Sequence, residues 1–455
     1  MDHNNQLIRT VSKIQTSSSI QTIFKSQNIS KFVTRSYRMR IKPNNTLYPL
    51  LDDLSFKAKN LYNLATYHSR QLYIESKQFY KQFDLNSILK NEDAFKSLPS
   101  KVSQSICIQV YRNFKSFQAL QQDFFHNPSK YKGRPKLPKY KDKSKGRSII
   151  IFDYQTLKIK DSSIHLPKKL ATIPVPTYLN GIQIKTDSID LYTPTPELQL
   201  LELKVIPTHN SYELHFIYSK HIQIPEKPKL HVASIDLGLD NFAAIAFSKA
   251  NTQPILLNGK GLKSYNQLLN KTLANLKSKI DIQNNTTKQH QRTSKRIQQL
   301  YDKRNRYLNT WMHQASRRII TLLQQNDIQV LVIGHNKHQK QQINLGSKTN
   351  QTFVQIPYTL FINQLTYKCE EVGIQLIVTE ESYTSGTSFI DNESPIQQYY
   401  NSSRRKHRGL FISNDPNHPQ INADINAAYQ ILKKVFPSAQ YVPTLRLDPI
   451  KINVS

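Results

Sequence analysis

Short apolar strands alternate with helices through the second half of the sequence. Three runs have the length and composition of buried strands: Leu230–Asp236, Val330–Ile333 and Gly373–Val378. Apolar residues recur at helical spacing between them, and Ser264–Asn284 and Gln291–Gln325 are predicted to form a long helical hairpin. Strands that alternate with helices are typical of layered α/β folds. The pattern therefore predicts an α/β domain over residues 229–455.

The first half has a different pattern. From Ser148 to Ile224, short apolar runs are separated by Pro, Asp, Asn and Gly, which is typical of antiparallel strands in a barrel or sandwich. We therefore expect a multidomain α+β and α/β chain, with these parts before the α/β domain: a disordered leader at 1–31, a β domain built from 32–48 and 148–226, a helical insertion at 49–130 and a basic linker at 131–147.

The charge balance indicates a polyanionic partner. The chain has 63 Lys and Arg against 31 Asp and Glu, a formal net charge of +32 at pH 7. An excess of this size is the electrostatic footprint of nucleic-acid binding. A membrane surface would need an apolar span or anchor as well. The sequence has no long uncharged apolar run, so we expect no membrane partner.

Two basic segments are candidates for nucleic-acid contact. Tyr131–Arg147 interleaves Lys and Arg with tyrosines that are available for base stacking, and Gln291–Gln325 carries basic residues around an apolar stripe. Either segment could instead be a solvated surface. Together with one basic residue of the first predicted strand, the candidates are Arg38, Lys132, Arg134, Lys136, Lys139, Tyr140, Lys141, Arg296, Arg304 and Arg317.

The cysteines exclude two kinds of site. Cys107 and Cys369 are the only ones, and their separation rules out a disulfide framework and a paired-cysteine zinc site. No apolar secretory signal is visible at the start of the sequence. We therefore expect a reducing compartment, which is the cytoplasm or nucleoid, or the nucleus of a eukaryotic host.

Acidic residues at strand ends and helix starts suggest a metal centre. Asp236 ends an apolar strand just before a Gly-containing turn, and Asp424 begins an Ala-rich helix. Alone, Asp236 reads as a turn residue and Asp424 as a helix cap. Together with the acids at Glu380 and Glu381, they suit Mg²⁺, which prefers oxygen ligands. Two such ions can activate water and stabilise the leaving oxygen of a phosphodiester.

Several motifs resemble the TnpB/OrfB family of insertion-sequence proteins. They are Ser234–Leu239, Tyr383–Ser385, Arg408–Phe411, Asn422–Ala428 and the basic segment Lys132–Lys141. The resemblance covers most of the chain from about residue 32. It implies a RuvC-like (RNase H-like) nuclease domain, an N-terminal wedge-like β-barrel with an inserted helical bundle, a guide RNA and metal-dependent cleavage of target double-stranded DNA.

The sequence departs from the family pattern at the middle acid. Many members place a glutamate directly after the strand that corresponds to Val330–Ile333, where this chain has Gly334. A subset, including Fanzor relatives, carries a glutamate just ahead of the Tyr-Thr-Ser motif instead, where this chain has Glu380 and Glu381. Only one of two adjacent strand residues should face the site. We select Glu381, so the predicted catalytic and metal-binding set is Asp236, Glu381 and Asp424, with two Mg²⁺ or Mn²⁺ ions.

The second departure concerns zinc. Many members carry four cysteines between the second and third nuclease motifs, whereas this chain has Ser388 where the first is expected. We therefore expect no structural zinc. Phe389, Tyr399, Tyr400 and the acids of Asp391–Glu393 are expected to hold the loop, with Asp391 itself a solvated loop acid.

The sequence thus predicts a transposon-encoded, RNA-guided DNA endonuclease. Its partners would be a guide RNA from its own locus and target double-stranded DNA, and it would act as a monomer or weak dimer. Because Gly334 replaces an acid, a catalytically inactive RNA-guided DNA-binding protein is an alternative. A guide-independent nuclease or transposase accessory protein is another.

Overall fold

The computed structural model describes residues 29–185, 197–224, 231–287, 293–336, 355–407 and 409–454. The chain divides into two compact units, one formed by Ser30–Gln223 and the other containing Ile224–Ser455. Residues 1–28 of the predicted leader lie outside the described residues, as does Arg408.

The described residues of the first unit form four α-helices, three long strands and several short ones. Its elements in chain order are β1 (Ile29–Ile41), α1 (Tyr48–Ser76), α2 (Gln82–Leu89), α3 (Asp93–Lys96), α4 (Ser100–His126), β2 (Ile150–Asp153), β3 (Lys158–Lys160), β4 (Ser163–His165), β5 (Thr172–Pro174), β6 (Gln183–Ile184), β7 (Leu198–Thr208) and β8 (Ser211–Ile224).

The strands of the first unit form two sheets. The larger has the order β1-β8-β7-β2, with β6 added beside β7, and the smaller has the order β3-β4-β5. The strand before the helices therefore pairs with the last strand of the unit, and the helices are an insertion between two strands of one sheet. Closure of these sheets into a barrel stays a prediction.

Apolar spacing explains the two long helices of this unit. Proline within the first turn starts α1, and Leu54, Ala58 and Leu61 lie on its buried face. In α4, Val102, Ile106, Val110, Phe114 and Phe117 are buried, which is the face expected from their spacing. These faces pack together with the sheet residues Phe152 and Phe216 in one core.

The second unit is an α/β unit built around a six-stranded sheet. Its elements are β9 (Val232–Leu237), β10 (Asn241–Phe247), β11 (Ile255–Asn258), α5 (Lys260–Thr287), α6 (Lys295–Gln325), β12 (Val330–Gly334), α7 (Tyr358–Glu371), β13 (Gln375–Thr379), β14 (Arg405–His407), β15 (Leu410–Ile412), β16 (Gln420–Ile421), α8 (Ala423–Val435) and β17 (Ile450–Ile452).

The sheet order of the second unit is β13-β12-β9-β10-β11-β17. β9, β12 and β13 run parallel, whereas β10 is antiparallel to both of its neighbours. A separate three-stranded sheet, β14-β15-β16, precedes α8. The parallel strands bring the ends of β9, β12 and β13 to one edge of the sheet, where residues that follow them in sequence meet.

Each face of the six-stranded sheet has its own core. One face packs Ile235, Ile245 and Leu331 against Trp311 of α6 and Phe361 of α7. The other face packs Val232, Ala244 and Val332 against α8. Alternation along each strand sends neighbouring residues to opposite faces, which fixes the face on which Asp236 lies. None of the described helices combines the length and apolarity needed to span a lipid bilayer.

Candidate active site

A cavity of about 610 Å³ opens at the edge where β9 ends. Carboxylates from distant parts of the sequence line it, and so do two basic side chains. The polar residues that line it are Asp236, Asp240, Asn241, Asn336, Glu381, Thr384, Ser385, Arg405, Asp424 and Lys451. The three predicted metal-binding acids therefore lie in one cavity.

Asp236 is held by the packing of β9 against α8. Ser234, two residues earlier and on the same face, donates its hydroxyl to the carbonyl of Ala428 at 2.6 Å. Small residues at Ala427 and Ala428 allow this close approach, and both are buried. Burial raises the pKa of Asp236 well above its usual range, the carboxylates of Glu381 and Asp424 raise it further, and Arg405 acts against them.

Asp424 lies in the first turn of α8 but does not cap the helix. Asn422 is the cap, because its side-chain oxygen accepts from the backbone N–H groups of Asp424 and Ile425 at 3.1 and 3.2 Å. The Asp424 carboxylate instead accepts from Nδ2 of Asn241 at 2.8 Å and from the Arg405 guanidinium at 3.0 Å. Its carboxylate is thus available to the cavity.

The two adjacent glutamates have different surroundings. Glu381 lines the cavity, and its backbone N–H donates to Oδ1 of Asn336 at 3.0 Å. Thr384 donates its hydroxyl to the Glu381 carbonyl at 2.8 Å, which closes the turn that follows. The Glu380 side chain is 67% exposed and pairs with Lys434 at 2.9 Å, and this hydrogen bond lowers its pKa. The structure therefore directs Glu381 to the cavity and Glu380 away from it.

Gly334 leaves the space that the Glu381 side chain needs. Gly334 pairs with Thr379 across β12 and β13, two residues before Glu381. A Cβ atom on Gly334 would lie 2.8 Å from Cγ of Glu381 and 2.5 Å from Cδ1 of Ile431. Both distances are too short for carbon atoms. Position 334 therefore cannot take a side chain while Glu381 lies in the cavity in this arrangement.

The donor types in the cavity fit a magnesium ion, but the side chains do not form a ready coordination shell. Across the described ranges, no group of three or more His, Cys, Asp or Glu side chains is arranged to hold a metal ion. However, Oδ1 of Asn241 is buried and accepts no hydrogen bond from any residue that the structure describes. This oxygen and the cavity carboxylates are the hard ligands that Mg²⁺ takes. Their side chains would have to rearrange to share one metal ion.

Sequence reasoning missed several residues of this cavity. Arg405 and Asn241 contact the Asp424 carboxylate, and Asp240 pairs with Lys263 at 2.7 Å. Asn241 follows the Ser234–Leu239 motif within the same turn, so its position was a usable signal. No sequence signal marked Arg405, because it lies in a run of basic residues, any of which could have faced the acids.

A second cluster of acids fastens the loop before β14. Arg404 is 11% exposed and donates to Asp391 and to Glu393, the latter at 2.6 Å. Asp391 is 12% exposed and also accepts from the Ser413 hydroxyl at 3.1 Å and from the backbone N–H groups of Asn414 and Asp415. The expectation of a solvated Asp391 is therefore wrong, because four donors surround its carboxylate where water was expected.

Aromatic residues of the loop contribute as well. The Phe389 ring stacks on Tyr429 of α8 at a centroid distance of 4.6 Å, and Tyr400 packs edge-on against Tyr383. The amide of buried Asn426 accepts from the N–H of Phe389 at 3.0 Å and donates to the Thr387 carbonyl at 2.8 Å. These contacts join the loop to α8 beside the cavity.

The predicted nucleic-acid residues fall into two groups. Arg38, Lys132, Arg134, Lys136, Lys139, Tyr140, Arg296 and Arg317 are exposed. By contrast, Lys141 donates to the Arg147 carbonyl, and burial lowers its pKa. Arg304 is also bound within the protein, to the side-chain oxygen of Asn266 at 3.1 Å and to the Gln355 carbonyl at 2.6 Å. The exposed group is free to meet phosphates, whereas Lys141 and Arg304 support their own segments.

The basic segment 131–147 is attached along α1. Arg70 donates to the Pro138 carbonyl at 2.8 Å, and Asn63 exchanges two hydrogen bonds with the backbone of Lys141. The Arg70 guanidinium also lies over the Tyr140 ring, 5.1 Å from its centroid. The segment therefore presents its exposed lysines from a fixed backbone.

Two family models match the second half of the chain. The model for a probable transposase (OrfB_IS605) matches residues 215–340, which include Asp236. The model for the Cas12f1-like TNB domain matches residues 358–431, which include Glu381 and Asp424. No curated protein matches the sequence significantly.

Solved structures with partial similarity are those of Cas12 proteins. The cryo-EM structure of the Cas12f1-sgRNA-target DNA complex shares 15% identity over 88% of this chain and 83% of that chain, with a TM-score of 0.49. The CRISPR-Cas_phi3 endonuclease shares 8% identity over 96% and 97%, with a TM-score of 0.41. CasPhi-2 (Cas12j) bound to crRNA shares 9% over 91% and 99%, with a TM-score of 0.43.

The two sequence-family matches carry the assignment. They follow one another along the chain, lie mostly in the second unit and together contain Asp236, Glu381 and Asp424. They are also the regions in which the sequence motifs resemble TnpB/OrfB proteins. Over residues 215–340 and 358–431, which together carry these three acids, the chain is TnpB-like, with similarity to the OrfB probable-transposase model and to the Cas12f1-like TNB-domain model.

Proposed function

We propose that this protein is an RNA-guided DNA endonuclease that cleaves phosphodiesters with divalent metal ions. The observation that carries the proposal is the convergence of Asp236, Glu381 and Asp424, from three distant segments, in one cavity of a strongly basic chain. The sheet order of the second unit, with its single antiparallel internal strand, supports a RuvC-like nuclease domain.

A different local contact positions each of the three acids. The β9–α8 contact fixes Asp236, the Asn422 cap fixes the turn that carries Asp424, and the turn closed by Thr384 fixes Glu381. These three side chains, with Oδ1 of Asn241, would hold two Mg²⁺ or Mn²⁺ ions. When bound, such ions activate water and stabilise the leaving oxygen of the phosphodiester. Desolvation and then repulsion from Glu381 and Asp424 raise the pKa of Asp236, and a bound cation would relieve that repulsion.

Arg405 is suited to respond to the substrate. It pairs with Asp424 at 3.0 Å and is itself 37% exposed, so its guanidinium is within reach of solvent. A guanidinium binds phosphate and carboxylate with the same planar geometry. We propose that Arg405 holds the Asp424 carboxylate in the free protein and turns to a phosphate oxygen when DNA enters.

The proposed partners are a guide RNA from the same locus and target double-stranded DNA, with magnesium as cofactor and no structural zinc. Base pairing would read the target sequence, while the exposed basic residues hold the backbone. The Asp391–Arg404–Glu393 cluster supports the absence of zinc, because it fastens the loop with charged side chains. We propose a monomer or weak dimer in the cytoplasm or nucleoid, or in the nucleus of a eukaryotic host.

The test is cleavage by purified protein loaded with RNA transcribed from its own locus. A matched double-stranded target should be cut in Mg²⁺, and both Asp236→Ala and omission of the RNA should abolish cutting. Full cutting by Asp236→Ala would refute the mechanism, and full cutting after nuclease treatment of the preparation would favour a guide-independent nuclease or transposase accessory protein.

A second candidate is an RNA-guided DNA-binding protein that does not cut. The ion pair between Arg405 and Asp424, which partly neutralises one of the three acids, favours it. Tight, guide-dependent binding of the matched target without product in either Mg²⁺ or Mn²⁺ would establish this function instead.

A further inference from the structure

We infer that Lys451 binds a phosphate beside the scissile one and so positions the nucleic-acid strand over the acid cavity. This inference rests on the proposed nuclease function and extends it to a residue outside the motifs. Lys451 belongs to β17, the edge strand of the six-stranded sheet, and its side chain lines the same cavity as the three acids.

Asp236 and Lys451 belong to one row of paired residues that crosses the sheet. Asp236 of β9 pairs with Ala244 of β10, Ala244 pairs with Leu256 of β11, and Leu256 pairs with Lys451 of β17. Paired residues on adjacent strands project to the same face of a sheet. Lys451 therefore projects to the face that carries Asp236, and its neighbour Ile452 packs with the core of the other face.

The length of this row suits a nucleic-acid backbone. Three strand spacings separate the Cα atoms of Asp236 and Lys451, or about 14 Å. A strand of duplex DNA carries one phosphate for about every 3.4 Å along the helix axis. A backbone whose scissile phosphate lies at the acids therefore presents further phosphates near Lys451.

Lys451 is also the cavity cation best placed to receive a phosphate. The other cation that lines the cavity, Arg405, already pairs with Asp424, and the lining residue Asp240 already pairs with Lys263. Within the residues that the structure describes, Lys451 has no acidic partner. Since the acids repel a phosphate chain, an unneutralised cation at the far end of the row supplies attraction without competing for the acids.

A structural role for this lysine makes different predictions. Lysines on edge strands commonly prevent pairing with another chain. Any charged residue would serve that purpose, whereas phosphate binding requires a positive charge. Lys451→Glu and Lys451→Arg therefore separate the two roles, because both keep the edge charged and only the arginine can bind phosphate.

The experiment uses the full-length protein loaded with its RNA and a fluorescein-labelled matched target. Affinity is measured in Ca²⁺ between 50 and 200 mM KCl, and cleavage kinetics are measured in Mg²⁺. Lys451→Ala should lower the slope of log affinity against log salt by about 0.7–0.9, the loss of one phosphate contact. Lys451→Ala should also raise KM severalfold and leave kcat within about threefold of wild type. Lys451→Arg should restore both kinetic constants. Lys451→Glu should bind the target less tightly than Lys451→Ala.

The matched control is Lys249→Ala. Lys249 follows β10 at the opposite end of the same sheet and pairs only weakly, at 3.0 Å, with exposed Asp327. Equal salt slopes for Lys451→Ala and Lys249→Ala, or equal binding by Lys451→Glu and Lys451→Arg, would overturn the inference alone. A wild-type protein that binds the target with the expected Lys451 effect but does not cut would overturn only the nuclease function. A wild-type protein that binds no nucleic acid would overturn both.

Discussion

The second unit contains two clusters of carboxylates that differ in how their charge is balanced. In the cavity, partly exposed Asp236 lies beside Glu381 and Asp424, and desolvation together with these two carboxylates raises its pKa. In the loop before β14, burial alone would raise the pKa of Asp391, but hydrogen bonds from the Asn414 N–H and the Arg404 guanidinium lower it below its usual range. The first cluster keeps an unfavourable charge, whereas the second is neutralised by the protein itself.

Two adjacent arginines show how the sequence produces this difference. Arg404 is nearly buried and donates to both Asp391 and Glu393, while Arg405 lines the cavity and its guanidinium pairs with Asp424. The two side chains face opposite ways, as neighbours at the start of a strand do. Carboxylates that lie together in a cleft without balancing cations are typical of binding sites, whereas carboxylates paired with cations stabilise the fold. The two clusters should therefore respond oppositely to substitution.

Glu381→Gln should produce the largest effect on activity. Loss of a direct metal ligand should lower kcat/KM by more than the ~10–100-fold typical of outer-shell partners. The melting temperature should stay the same or rise, because one of the charges that repel Asp236 is removed. Cleavage assays and thermal melts on the same preparation test both parts.

Glu380→Gln is the matched control for that change. It removes the pairing of an exposed carboxylate with Lys434, a weak interaction at a surface, and it lies outside the cavity. Cleavage within about twofold of wild type is expected. If Glu380→Gln lost activity and Glu381→Gln did not, the assignment of the cavity acid would be reversed.

Arg404→Ala should produce the largest effect on stability. It leaves Asp391 and Glu393 nearly buried without their cation, which typically costs about 3–5 kcal/mol. Chemical denaturation measures the loss. Arg405→Ala, which breaks a partly exposed pair, should cost less than about 1 kcal/mol in the same assay. Equal losses for the two arginines would remove the distinction between the clusters.

Gly334→Ala should affect both stability and activity, to a smaller degree. The new Cβ would overlap Ile431, which is fully buried, and Cγ of Glu381. Overpacking of this kind costs about 1–3 kcal/mol, and a displaced Glu381 would lower the cleavage rate by up to about 10²-fold. Gly261→Ala, where the added Cβ meets no atom within 4 Å, should be neutral or slightly stabilising. Full activity in Gly334→Ala would show that Glu381 does not depend on this space.

Patterns in the sequence predicted much of the second unit. The strands and the helical hairpin were readable because apolar spacing is a local property. The Ala-rich sequence of α8 was readable as a helix, and its close approach to β9 appears in the Ser234–Ala428 hydrogen bond. The short strands β14–β17 were missed, because three or fewer paired residues leave no periodic signal.

The polar contacts between side chains were harder to predict from the sequence. Nothing local distinguishes Arg404 from Arg405, because their roles depend on which loop each one faces after folding. The choice between Glu380 and Glu381 was ambiguous for the same reason, since the apolar alternation of β13 supports either. Partners separated by long stretches of sequence, such as Asn241 and Asp424, appear only when the sheet and helix are assembled.

The loss of unfolding free energy at acid pH should give the smallest measurable difference between the two clusters. The pKa of Asp391 is lower in the folded protein than in the unfolded chain, where an aspartate titrates near about 3.9. Its contribution to stability is therefore complete above that pH and is lost as the pH falls towards the folded value. The difference in unfolding free energy between wild type and Asp391→Asn should shrink as the pH is lowered below about 4, as measured by urea denaturation. A difference that stays constant from pH 7 to pH 3 would show that the Asp391 charge adds nothing beyond its shape, and that Arg404 balances Glu393 alone.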